Sequence, residues 1–434
     1  LKKTFSLYDY LIFTISGISI YLIGQYQWLK NFKIFSNEDI FLVTLIVPTI
    51  LIISNFLRFP NAIHTFCWLP FLLLGINYTT NNSKKIKSVF LIFFSSLFIL
   101  TAGYPYFIVY IFLFVSLYTF LIIFLKKIEL KKIYLFFLKI IIPAITALLI
   151  SLPWFYGIFN TLSITQDRNL NNFEYSTEHK FNFLDIIGSW VFPISSNTEG
   201  RYYFGIIITF LIIKWVIDLF KNSQKLKTQE LFIVIFSFLL FFLTSSLASS
   251  SSSLLFTFLW EKIDLIKNMR TWPRINILMV PLISLIFLIS LKSFLLNLKE
   301  ISETKIKKYK FNFISANLIF LTIITIQIVF YFNKVIDEYW FVWHEKRFLF
   351  ASENLFFPLN KIIMISDGRI NIFASVLSII LINYIYLNIN KFNYTKIKKI
   401  FLIAILFIVS FEQFLNSNMQ WTLKEWKTVN SEKI

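Results

Sequence analysis

"KNMRTWPRINILMVPLISLIFLISLKSFLL", residues 267–296, passes from a charged stretch into an apolar run with no charge between Arg274 and Lys292. About 20 such residues at about 1.5 Å each cross roughly 30 Å of hydrocarbon. The run therefore reads as a membrane helix over roughly 274–296. Pro273 suits its first turn, where a missing N–H costs little, and Trp272 suits headgroup depth. Arg270 and Arg274 stand four apart, so a helix that begins early enough puts both on one face, able to grip one phosphate group.

The rest of the chain repeats this pattern. Of its 434 residues 57% are hydrophobic and 15% charged, and its mean hydropathy is +0.70. A soluble domain carries about 25% charged residues, so a soluble fold is excluded. Apolar runs mark about twelve spans, at roughly 8–24, 40–57, 63–78, 87–102, 105–125, 133–155, 203–220, 230–248, 274–296, 312–333, 371–388 and 400–415. The expected fold is all-α, a polytopic transmembrane helix bundle forming one integral membrane domain over 1–434.

Loop composition sets the expected orientation. "NNSKKIK", "KKIELKK", "KNSQKLK", "LKEISETKIKKYK" and "NKFNYTKIKK" are short and lysine-dense, and take every second position. By the positive-inside tendency they face the cytoplasm. Segments 156–202, 249–273 and 334–370 are longer, aromatic and mixed in charge, and read as extracytoplasmic loops with the 414–434 tail. The chain is placed in the cytoplasmic (inner) membrane as a multi-pass protein. The net charge of +19 is assigned to this orientation and not to nucleic acid.

Soluble-enzyme signatures are missing: there is no Walker A loop, dinucleotide fingerprint, HExxH or GxSxG. The three histidines, His64, His179 and His344, have no ligand spacing, and Cys67 is the single cysteine. Carboxylates are scarce within spans; Asp218 and Glu412 read as near span ends, and Lys214 as snorkelling, so ion-coupled transport is disfavoured. Arg58, Arg168, Arg201, Arg270, Arg274, Arg347 and Arg369 all fall in segments read as exterior. Guanidinium binds phosphate oxygens bidentately, so arginines at helix mouths suit a lipid phosphate or pyrophosphate. Within 254–268, Leu255, Leu259, Ile263 and Ile266 share one helical face, for a helix lying in the interface or packed on other exterior segments.

Four stretches in order, "FPNAIHTFCWLPFLLLGI", "LTAGYPYFIVYIFLF", "WVFPISSNTEGRYYFGIIITFLII" and "LWEKIDLIKNMRTWPRINILMVPLISL", resemble the YfhO-like family of bacterial membrane proteins, part of the GT-C superfamily of glycosyltransferases. The resemblance covers roughly residues 40–300. It implies a GT-C-like bundle that transfers a sugar from a polyprenyl-phosphate donor to an envelope glycan or lipid acceptor on the outer face of the membrane. It further implies an outer cavity lined by His64, Tyr104, Arg201, Arg270 and Arg274. His64 and Asp185 are the catalytic candidates for proton transfer, and Arg201, Arg270, Arg274 and Tyr104 the substrate-binding ones. The family's acidic residue of the first exterior loop finds no counterpart. Residue 1 is Leu, and a longer natural chain carrying that carboxylate, with a divalent metal as an open option, is the expectation. A flippase or exporter of lipid-linked saccharides, and a non-catalytic envelope-assembly protein, are the alternatives.

Overall fold

The computed structural model describes residues 7–53, 60–81, 84–125, 127–164, 173–177, 180–181, 186, 190–191, 203–222, 228–267, 269, 272–304, 307–335, 369–389 and 393–418. Every regular element among them is helical. Among the described residues, helix occupies each stretch read as a span, and five stretches are long and apolar enough to cross a membrane. These are Ala62–Thr79, Tyr106–Phe124, Leu130–Ile158, Glu230–Ala248 and Trp272–Ile301; Phe313–Val329 and Ile372–Asn388 are shorter apolar helices. The chain is a membrane protein of helical class. Asp185, Arg201 and Arg270, expected at the site, and nearly all of 334–370 lie outside the described residues.

The chain divides into two compact units. The first comprises Leu1–Leu51, Phe56–Lys180 and Lys225–Leu288, and the second Ile52–Asn55, Phe181–Gln224 and Ile289–Ile434.

In the first unit the helix Leu7–Lys30 packs on two short helices, Pro60–Phe66 and Leu69–Thr79. The expected single span over 63–78 is interrupted at Cys67 and Trp68, because Pro70 sits in the first turn of the second piece and cannot continue the ladder of the first. Glycines set the approach: a Cβ on Gly17 would lie 2.6 Å from Ile63 Cγ2, and one on Gly24 2.7 Å from the Phe71 ring. Lipid tails are as apolar as leucine, so close packing of small residues replaces the hydrophobic effect between such helices.

The helix Leu130–Ile164 shows the opposite behaviour. Only 22% of its apolar window is buried. Phe136, Ile140, Pro143, Ala147 and Ser151 form one narrow buried stripe, while Ile141, Ile142, Ile145, Leu148, Leu149 and Leu152 are exposed. Recurrence every three to four residues is the mark of a helix touching protein along one line. It packs on the helix Lys85–Thr101, and its outward side is the surface a bilayer would cover.

The second unit is tied by buried polar groups. Glu412, on the helix Tyr394–Asn418, is fully buried, where the sequence reading put it near a span end. Its carboxylate accepts from the Tyr203 hydroxyl and, at 3.0 Å, from the N–H of Ile206, the first residue of the helix Ile206–Asn222. A carboxylate there satisfies an orphan amide and meets the positive end of the helix dipole. Lys214 does not snorkel: it is 3% exposed and pairs with Asp218, which also accepts from Asn297 at 3.1 Å. Lys214 and Asp218 stand four positions apart, so the partner on its own helix face lies within reach. Asn317 and Asn383 exchange two hydrogen bonds, and Gln327 joins Val191 O to the Ser375 hydroxyl.

Two outcomes follow. Gly24→Ala lowers stability in detergent by about 1–3 kcal/mol through overpacking, whereas Gly157→Ala, with nothing within 4 Å of the new Cβ, is neutral or stabilising by up to about 1 kcal/mol. Equal melting shifts for the two would refute the close approach. Glu412→Leu strands the Tyr203 hydroxyl and the Ile206 amide and costs about 2–4 kcal/mol, with Glu412→Gln costing less, measured by denaturant or thermal unfolding.

Candidate functional site

The opening stretch does not begin as an α-helix at residue 274. Trp272–Leu278 forms a 3-10 helix and the α-helix starts at Met279. Pro281 explains the offset: without an N–H it cannot bond the carbonyl of Ile277, and its ring would clash there, so the α-helical ladder does not extend back through that position. Of the seven 3-10 residues six are buried, and Arg274 alone is half-buried.

Its partner comes from a helix hairpin. The helix Lys85–Thr101 ends at Ala102, whose N–H donates to Phe98 O at 3.0 Å. Gly103 follows at φ 90°, a conformation that removes any Cβ penalty only for glycine. Pro105, with its fixed φ, opens the next helix, Pro105–Leu125. Tyr104 is held between the two, and Arg274 Nη1 donates to its hydroxyl oxygen at 2.7 Å.

A row of rings supports the pair. Tyr104 meets Phe107 at 4.8 Å between centroids, Phe107 meets Tyr110 at 5.8 Å, and Tyr110 meets Trp272 at 5.9 Å. Trp272 meets Phe256 at 5.2 Å, which lies 6.4 Å from Phe173, and Phe173 meets Trp260 at 4.9 Å. Lys267 Nζ stands 5.8 Å over the Trp260 ring. Phe107, Tyr110, Phe256 and Trp272 are buried, so the row is a foundation and not a surface on which a sugar ring could stack.

Phe256 belongs to the helix Leu254–Lys262, capped by the Ser253 hydroxyl. The expected continuous helix over 254–268 is broken at Ile263, whose backbone is extended, and Asp264–Lys267 forms a separate turn. Among its described side chains, Phe256 and Ile266 are buried. The ring contacts to Phe173 and Trp272, and the bond from Ser176 Oγ to Lys267 O at 2.9 Å, make this segment one packed on its neighbours.

His64 faces another element. Its Nε2 donates to Phe13 O at 2.7 Å and its ring stacks on Phe13 at 3.7 Å. Gly17 makes room, since a Cβ there would come within 3.2 Å of that nitrogen. Among the described residues His64 makes no hydrogen bond or ring contact with Arg274 or Tyr104. The structure thus brings together Tyr104 and Arg274 of the expected set. Among the described residues no group of three His, Cys, Asp or Glu side chains is placed to hold a metal ion.

Sequence reading missed three further hydrogen bonds in this unit. Trp28 Nε1 donates to Tyr118 Oη at 3.1 Å, which donates to Asn77 Oδ1 at 2.8 Å. Gln25 Nε2 donates to Ser284 Oγ at 2.8 Å. The signal was present in the first helix, where Thr14, Gly17, Tyr21, Gly24 and Trp28 alternate by three and four.

An Arg guanidinium keeps its charge in such a setting and presents a planar fork of N–H donors that matches the oxygens of a phosphate or carboxylate. Held by a phenol and set on a packed 3-10 turn, Arg274 is a fixed cation suited to an anionic headgroup. No protein family matches this chain, and no curated protein or solved structure matches it.

A double-mutant cycle checks the pair. Tyr104→Phe and Arg274→Ala are expected to couple by about 0.5–1.5 kcal/mol in unfolding free energy, and additive losses would show that the bond contributes nothing to the folded state.

Proposed function

We propose that this chain is a membrane glycosyltransferase of GT-C type, with about twelve spans and with the segments 156–202, 249–273 and 334–370 on the outer face of the cytoplasmic membrane. It takes a sugar from a polyprenyl-phosphate donor and passes it to an envelope glycan or lipid. The observation that carries this reading is the Arg274–Tyr104 pair at the mouth of an apolar helix, supported by the four ordered stretches that resemble the YfhO-like family.

The chemistry needs a base for the acceptor hydroxyl and a cation for the departing polyprenyl phosphate. Arg274, with Arg270, takes the second role, by neutralising charge that grows as the sugar–phosphate bond breaks. Tyr104 orients the guanidinium and so is a positioning residue. The sequence offers His64 and Asp185 as the base, and the engagement of His64 Nε2 by the Phe13 carbonyl favours Asp185.

The test is donor consumption by the full chain in lipid, supplied with a panel of polyprenyl-phosphate sugars. Arg274→Ala is expected to lower turnover about 100- to 1,000-fold with folding retained, and Arg274→Lys to recover part of it. Wild-type protein that binds or moves the lipid while releasing no sugar would replace transfer by translocation.

A further inference from the structure

The buried side of the helix Leu7–Lys30 is unusual for so apolar a chain. Thr14, Gly17, Tyr21, Gly24, Gln25 and Trp28 lie along it, spaced so that they fall on one face. Three polar atoms of this face, Thr14 Oγ1, Tyr21 Oη and Gln25 Oε1, have no hydrogen-bond partner among the described residues. Their residues are 3%, 0% and 0% exposed. An apolar side chain of similar shape would avoid that penalty, and this chain uses phenylalanine 54 times against 20 tyrosines.

Satisfied polar groups continue the same line. Gln25 is bonded through its amide nitrogen to Ser284, and one turn further on Trp28, Tyr118 and Asn77 form a chain of two hydrogen bonds. Toward the other end His64 bonds to Phe13 O. Tyr21 stacks on Phe66, two residues from His64 on the same short helix. At about 1.5 Å per residue, Thr14 to Trp28 covers about 21 Å of the roughly 30 Å hydrocarbon thickness.

We propose that this face binds internal water molecules, held at Thr14, at the Tyr21 hydroxyl and at the carbonyl oxygen of Gln25. The ligand class follows from the atoms. Two hydroxyls both donate and accept, the amide oxygen accepts, no charged group stands among them, and internal water characteristically satisfies such groups with two to four bonds each. Gly17 and Gly24 pack closely against the neighbouring helices between these positions, so each of the three groups holds its own water. These bound waters are independent of the transferase reading.

Hydroxyl-radical footprinting of the full chain in lipid nanodiscs, read by mass spectrometry, tests it directly. Tyr118 is the internal control, being equally buried but with its hydroxyl engaged by Trp28 and Asn77. Tyr21 is expected to be labelled about tenfold faster than Tyr118, because bound water delivers the radical locally. Tyr21→Phe, which deletes the anchor of one bound water, is expected to melt below wild type. Equal labelling of the two tyrosines overturns the proposal, as does a Tyr21→Phe protein that melts at or above wild type.

Discussion

A carboxylate carried into an apolar bundle must be met by donors, and Glu412 shows how much structure that requirement organises. Its two oxygens take the Tyr203 hydroxyl and the Ile206 amide, so the helix Tyr394–Asn418 is bound to the start of the helix Ile206–Asn222 at one defined height. The same rule recurs in the second unit, where Gln327 bridges Val191 and Ser375, Asn317 faces Asn383, and Asp218 holds both Lys214 and Asn297. Between helices in lipid the hydrophobic effect favours no partner over another, so such directional contacts, with close packing, select which faces meet.

In the first unit small residues share that task. Gly17 and Gly24 let the first helix approach Ile63 and Phe71, and Gly75 does the same toward Ile92. Gly103 shapes the hairpin that presents Tyr104. The candidate site inherits this rigidity: Arg274 sits on a buried 3-10 turn, its partner on a hairpin set by glycine and proline, and a row of packed rings beneath both. A cation so supported keeps its direction, as the proposed role at a leaving phosphate would require.

Helix positions and membrane class could be read from the sequence, because hydrocarbon imposes a length and a composition on anything that crosses it and the lysine-dense gaps mark where crossings end. The singling out of Trp272, Pro273 and Arg274 rested on the same local logic. Finer features of the same helices were not legible: the break at Cys67, the 3-10 turn before Met279 and the extended Ile263 each depend on how a local sequence fits its neighbours.

Partnership was decided by tertiary structure alone. Arg274 and Tyr104 are 170 residues apart, and Tyr203 and Glu412 are 209 apart. Hydropathy rates an isoleucine facing lipid and one facing protein alike, so periodicity on these helices conceals the buried stripe that Phe136, Ala147 and Ser151 reveal in place. The sequence by itself determined that the chain is helical and enters a membrane, since those follow from what water and lipid each exclude. Which polar side chain finds which donor was settled only when the helices packed, because a hydrogen bond inside hydrocarbon is a property of two surfaces and no single stretch contains both.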